Sequence, residues 1–320
     1  MSLTPVLLAG TVGMGEQNHQ AHMWAPNLAQ AGLAPEAVWT PPSVDDLAMR
    51  RAEELACACG VELQVSETPT TSAAGAIVCL RGAERTAFAA FAAEHGLPLL
   101  LDKPTLDSTA QLEQFAAEAD ALPVMAGHHF ASHPGFARIL TAVRGAEIGL
   151  LRAVHTDLVT GGGESSDIGE LRNLGVHLLE LTRLLTGPAA VRLQAHGVAN
   201  GSAWSFLGST DRGVVVSYHT SRASAGHPVV QQLRAQVRVT GTHGFLTLDL
   251  TKPRLEVRTV HGTAPVAYAG SSVVAHLTKF ASLTHGAART APATDFVVIS
   301  RALDGIAASA ESGNAASITW

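Results

Sequence analysis

The chain has 320 residues, 47% of them hydrophobic and 15% charged, with a net charge of −6. That length and apolar content allow two domains with sizeable cores and exclude a disordered chain. Basic residues are scattered, which excludes a nucleic-acid stripe and a basic membrane-surface helix, and no apolar run reaches membrane-spanning length.

In chain order, Met1 to Gly15 is apolar but lacks a basic leader, so it reads as a first strand and not as a signal peptide. Pro5 to Ala9 is that strand, buried on both faces. Gly10, Gly13 and Gly15 follow in a G-x-x-G-x-G pattern, and Gln17 to Ala31 reads as a helix kinked or restarted at Pro26. Strand, glycine turn and helix are the parts of a dinucleotide site, because glycines let backbone N–H groups approach a pyrophosphate. The spacing departs from G-x-G-x-x-G, and a plain glycine-rich turn is the alternative. Ala37 to Thr40 is a second strand. A strand of this kind usually ends in an acid that holds the ribose hydroxyls. Here it ends in Thr40, Pro41, Pro42 and Ser43, and the first carboxylates, Asp45 and Asp46, are placed to cap the helix Asp46 to Cys59. The missing acid permits a 2′-phosphate, and no arginine close by argues for one. Cys57, Cys59 and Cys79 are too few for a disulfide framework and point to the cytoplasm.

Strands Val61 to Val65 and Gly75 to Leu80 come next, then a helix Glu84 to His95 and a strand Pro98 to Leu101. The apolar run Leu97 to Leu101 stops at Asp102, Lys103 and Pro104, since Pro104 cannot continue the ladder. Lys103 would stand at the carboxyl edge of a parallel sheet, where open α/β sheets bind ligands. On residue type alone it also reads as a solvated lysine ending a strand. A helix Thr105 to Asp120, capped by Asp107 or Ser108, and a strand Leu122 to Ala126 complete an alternation that means a doubly wound parallel sheet.

After residue 125 the pattern changes. A helix His133 to Arg144, a strand Gly149 to Leu158 and a loop from Thr160 to Gly163 lead to a strong amphipathic helix, Leu171 to Leu185, stopped by Gly187 and Pro188. Six strands follow without helices between them: Val191–Val198, Ala203–Gly208, Val214–Thr220, Gln231–Thr240, Gly244–Asp249 and Arg254–Val260. Helices Ser271 to His285 and Thr294 to Glu311 close the chain. The expected fold class is α/β: a Rossmann-type domain over 1–125, then an α+β domain over 126–320 with a large open, mostly antiparallel sheet. The last helix is free to pack back on the first domain.

Four stretches carry a resemblance to the glucose–fructose oxidoreductase, inositol dehydrogenase and rhizopine catabolism (Gfo/Idh/MocA) family. Asp102, Lys103 and Pro104 resemble its Glu-Lys-Pro signature. Gly161 to Gly163, with Asn173, Gly175, His177 and Glu180, resembles its glycine and Asp-x-Gly-x-His-x-x-Asp signature. Val239 to Leu248 resembles its sheet hairpin, and Ser312 and Gly313 its last helix and strand. The similarity covers almost the whole chain. It implies NAD(P)-dependent oxidation or reduction of a small polyol, sugar or related hydroxy or carbonyl compound, and a homo-oligomer, dimer or tetramer, built through the C-terminal sheet. It implies cofactor contacts at Gly10, Thr11, Gly13, Met14, Gly15, Thr40, Leu80, Asp102, Lys103 and Pro104, and substrate contacts at His129, Arg172, Asn173 and His177.

Hydride transfer from an alcohol needs a group to take the hydroxyl proton and positive charge where oxygen becomes negative. Lys103 can supply the charge or a proton, and His177 can be the general acid/base. Asn173 and His177, four apart, would share a helical face. The family's Asp is Asn173 here, which can orient a hydroxyl but cannot take its proton. Arg81 and Arg172 lie next to site stretches and could meet a carboxylated substrate, though surface solvation is the plainer reading of each, and His19 and His22, three apart, read as solvated or substrate-side and not as metal ligands. Fifteen histidines show no ligand pattern with supporting carboxylates, so no metal is expected. Two other readings stand beside a dehydrogenase: a non-catalytic ligand-binding or regulatory protein, and an enzyme that uses bound NAD transiently for hydrolysis or epimerisation.

Overall fold

The computed structural model describes residues 2–12, 18–103, 108–120, 122–162, 169–198, 201–223, 231–252, 254–259, 262–266, 270–286 and 294–320. The chain divides into two compact units, one of Met1–His129 with Val273–Val297, the other of Phe130–Ser272 with Val298–Trp320. No helix among the described residues is long and apolar enough to cross a membrane.

The first unit is a six-stranded parallel sheet of β1 (Thr4–Ala9), β2 (Leu33–Thr40), β3 (Glu62–Val65), β4 (Ala76–Val78), β5 (Leu99–Leu101) and β6 (Val124–Ala126), in the order β3-β2-β1-β4-β5-β6. This is the doubly wound Rossmann order, with its topological switch between β1 and β4. The apolar strand runs are explained by burial on both sides. Leu7, Ala9, Leu99 and Leu101 join Phe88 of α2 (Gly82–His95) and Phe115 of α3 (Thr109–Glu118) on one face. Val6, Leu8, Ile77 and Leu100 join Trp24, Leu55 of α1 (Asp46–Cys59) and Phe280 of α7 (Ser272–Thr284) on the other. Asp45 caps α1 through the Ala48 N–H at 2.7 Å, as expected. A capping box between Ser108 and Gln111 starts α3 at Thr109, later than the expected Thr105.

The expected helix Gln17 to Ala31 is not one α-helix. It is a π-helical turn, Gln20–Trp24, and two 3-10 turns, Ala25–Asn27 and Ala29–Ala31. Pro26 has no N–H to give and its ring crowds the preceding turn, so the ladder restarts there. Gly32, at φ +79°, ends it.

The second unit is a nine-stranded sheet in the order β14-β13-β12-β11-β7-β10-β9-β8-β15. The strands are β7 (Leu151–Gly161), β8 (Ala190–Gly197), β9 (Ala203–Thr210), β10 (Val215–Ala223), β11 (Gln231–Gly241), β12 (Gly244–Asp249), β13 (Arg254–Thr259), β14 (Gly262–Val266) and β15 (Ala316–Thr319). All pairs are antiparallel except β7 with β10. The expected loop at Thr160 and Gly161 is instead the end of β7, held between β10 and β11. One face of the sheet packs on α4 (Pro134–Arg144), α6 (Gly175–Thr186) and α8 (Thr294–Ser312) through Phe136, Leu181 and Ile306. The other face carries Leu207 and Val215, 62% and 45% exposed. The expected single helix Leu171 to Leu185 is two helices, α5 (Gly169–Asn173) and α6, which meet at Leu174. At the junction a Cβ on Gly175 would overlap the Tyr218 hydroxyl, so the strand beneath comes too close for any larger residue.

Candidate functional site

The carboxyl edge of the parallel sheet is built around a close crossing. As the chain leaves β1, Gly10 takes φ +75° and donates its N–H to Trp39 at 2.8 Å, while Val12 donates to Cys79 at 3.0 Å. A Cβ on Gly10 would lie 2.6 Å from the Cys79 carbonyl and overlap the Leu80 side chain. Only glycine meets both demands. Thr11 Oγ1 donates to the Ala48 carbonyl at 2.8 Å and ties the turn to α1. Thr40 ends β2 fully buried, and its hydroxyl has no hydrogen-bond partner among the described residues. The Leu80 carbonyl accepts from Arg85 Nε at 2.9 Å and Nη2 at 2.5 Å. Gly13, Met14, Gly15 and Pro104 lie outside the described residues.

Asp102 and Lys103 follow β5 at the same edge and are 5% and 8% exposed. Asp102 Oδ1 accepts from Trp24 Nε1 at 2.8 Å, and Oδ2 pairs with His19 Nδ1 at 2.7 Å. A carboxylate only accepts, so His19 carries its proton on Nδ1, which also lies 3.1 Å from the Lys103 carbonyl. The residue before the lysine is therefore held through both oxygens, and the lysine's own backbone is clamped by the same imidazole.

Two further histidines flank this edge. His276 on α7 stacks on Trp24 at 5.9 Å and donates Nε2 to the Ala126 carbonyl at 2.7 Å. Burial pushes its pKa down to about 3, so it is neutral. His129 is buried and also held well below the ordinary histidine range, first by desolvation and then by the nearby Lys103 charge. His276 could not be singled out from sequence, because it sits in an ordinary amphipathic helix with no motif around it.

A cavity of about 250 Å³ opens where β2 and β3 end against the first turns of α2. Trp39, Pro41, Pro69, Phe88 and Phe91 give it apolar walls, and Ser43, Glu67 and Glu84 line it too. Trp39 donates Nε1 to the Ser66 carbonyl at 3.1 Å and packs against Phe88 at 5.2 Å, which fixes one wall.

In the second unit, α5 and the end of β10 enclose a buried ion pair. Arg222 Nε donates to Glu170 Oε1 at 2.6 Å, and both side chains are almost fully buried, at 2% and 0%. Arg222 Nη1 donates to the Gly162 carbonyl at 2.5 Å, and Asn173 Nδ2 donates to Glu170 Oε2 at 3.0 Å. Glu170 thereby sets which way the Asn173 amide points, with its nitrogen toward the acid. His177 is buried on α6 with its ring 4.9 Å from that of Phe130. The break at Leu174 falls between Asn173 and His177, so they do not share one continuous helix. Arg172 is held by Asp304 and Ser300 of α8, and Glu180 by Arg183 at 2.8 Å. Glu170 and Arg222 were missed in the sequence, although one signal was there. Arg222 continues the inward series Val216, Tyr218 and Thr220, so a charge stands in a core-facing register. Among the described residues no group of three or more His, Cys, Asp or Glu side chains is arranged to hold a metal ion.

No protein-family model and no curated protein matches the chain. Solved structures do. An oxidoreductase domain protein from Kribbella flavida has a TM-score of 0.75 at 19% identity, over 99% of this chain and 100% of that one. An aldose–aldose oxidoreductase from Caulobacter crescentus, complexed with glycerol, has a TM-score of 0.78 at 16% identity, over 99% and 100%. An oxidoreductase from Agrobacterium radiobacter, in complex with NAD+, L-tartaric acid and magnesium, has a TM-score of 0.74 at 16% identity, over 98% of each chain. At these identities the likeness is one of fold.

Proposed function

We propose that the chain is a cytoplasmic NAD(P)-dependent oxidoreductase acting on a CH–OH group of a small polyol, sugar or related compound, and a member of the Gfo/Idh/MocA family. The observation that carries this reading is Lys103, held at the carboxyl edge of a Rossmann sheet by the Asp102–His19–Trp24 network. The residues fit a dinucleotide. Gly10 lets the turn after β1 pass close against Cys79 and Leu80 at the carboxyl edge, and the buried Thr40 hydroxyl beside it has no partner among the described residues. The fold relatives from Agrobacterium radiobacter and Caulobacter crescentus, with NAD+ and with glycerol, support the same class of reaction.

When bound, NAD or NADP would take a hydride from the alcohol carbon or return it. Lys103 supplies the positive charge that favours an alkoxide or polarises a carbonyl. His177, of a residue type that titrates near neutrality, takes or gives the hydroxyl proton. Asn173 has its amide nitrogen on Glu170 and acts by orientation, since an amide cannot carry the proton. His129, kept neutral, suits contact with a neutral hydroxyl. The uncovered sheet face bearing Leu207 and Val215 suits the homo-oligomer that the family resemblance implies.

The test is a titration of the purified chain with NADH and with NADPH, read by quenching of tryptophan fluorescence. Binding of at least one is expected, with retention in Lys103→Ala and loss of nicotinamide-linked turnover on a polyol panel in that variant. If neither nucleotide binds, the reading fails.

A further inference from the structure

Resting on the dinucleotide reading above, we infer that Glu84 selects the non-phosphorylated cofactor, supplying from α2 the carboxylate that the end of β2 lacks. The sequence Thr40, Pro41, Pro42, Ser43 holds no group that can accept from both hydroxyls of a ribose. The fold brings one in from the next helix but one. Ser43 Oγ donates to Glu84 Oε1 at 2.8 Å, and no described residue donates to Oε2. Glu84 lies in the first turn of α2.

The cavity beside it has the chemistry of a nucleoside site with one charge preference. Its tryptophan, phenylalanine and proline walls suit a flat base, and Glu84 and Glu67 line it with no lysine or arginine among the described lining residues. A vicinal diol presents two O–H donors to a carboxylate that can accept both. A 2′-phosphate presents only acceptors and about two negative charges, and would stand against carboxylates with no lysine or arginine among the described lining residues to offset it. The geometry therefore favours NAD over NADP, which the missing acid on β2 leaves open.

Nucleotide binding by the full chain, without substrate, tests this. The wild type should bind NADH at least about tenfold more tightly than NADPH, as one close like-charge contact near a protein surface suffices for that. Glu84→Gln keeps the shape and removes the charge, and should close most of the gap. Glu84→Arg should reverse the preference, a gain that misfolding cannot imitate. Equal binding of the two nucleotides by the wild type, or an unchanged ratio in both variants, would overturn the inference and leave the dinucleotide reading standing. Binding of neither nucleotide by the wild type would overturn both.

Discussion

Tyr218 shows how one side chain shapes the second unit. It is 2% exposed, stacks on Phe206 at 4.9 Å, and directs its hydroxyl at the junction of α5 and α6. The hydroxyl has no hydrogen-bond partner among the described residues, and burial with Glu170 nearby pushes its pKa well above the ordinary tyrosine value. A buried hydroxyl without a partner costs about 1–3 kcal/mol. Tyr218→Phe should leave stability unchanged or raise it by roughly 1 kcal/mol, measured as the urea midpoint. A large loss would mean that the hydroxyl is bonded after all. The alternation of β10 made Tyr218 legible as a core residue. Its effect on the helix above was not legible, because periodicity tells which face a residue takes and not what lies across it.

Among the elements, α7 has the most to say. Its sequence shows an amphipathic helix over nearly the observed span, Ser272–Thr284. Nothing in it tells that Leu277, Phe280 and Leu283 cover the parallel sheet, more than a hundred residues back in the chain. The sheet face needs that cover, since the irregular turns between Gln20 and Ala31 are too short to supply it. Phe280 is fully buried there, so Phe280→Ala should cost about 3–5 kcal/mol by denaturant unfolding. A cost below about 1 kcal/mol would mean that α7 is only loosely seated.

At the scale of the whole molecule, buried neutral histidines set the response to acid. His276 has a pKa of about 3 in the fold against an ordinary value of 6.5 when unfolded. Between those values the unfolded chain binds the proton and the folded one does not, so stability rises with pH. It is fully present above the unfolded value and is lost progressively as pH falls from 6.5 toward 3. His129 is shifted in the same direction. The slope should be up to about 1.4 kcal/mol per pH unit for one such group. Denaturation midpoints between pH 7 and pH 4 should fall in the wild type and fall less in His276→Gln, which keeps a donor for Ala126. Equal slopes in the two proteins would remove His276 as the cause.

By itself the sequence determined what local chemistry controls. Apolar runs ending in glycine or proline marked the buried parallel strands, Asp45 marked the start of α1, and alternating residues marked the strands of the second sheet. It also made Lys103 a candidate, because the apolar run stops at Asp102, Lys103 and Pro104 and so puts the lysine at the carboxyl edge of a parallel sheet, where such sheets bind ligands. The tertiary structure decided what depends on residues far apart in the chain meeting. It set Asp102 against Trp24 and His19, joined Glu170 to Arg222 and Asn173, brought Glu84 to Ser43, and broke a strongly periodic helix at Leu174. Hydrophobic period records only whether a side chain faces inward. Hydrogen bonds and ion pairs depend on which partner the fold puts within about 3 Å, and no spacing along the chain encodes that.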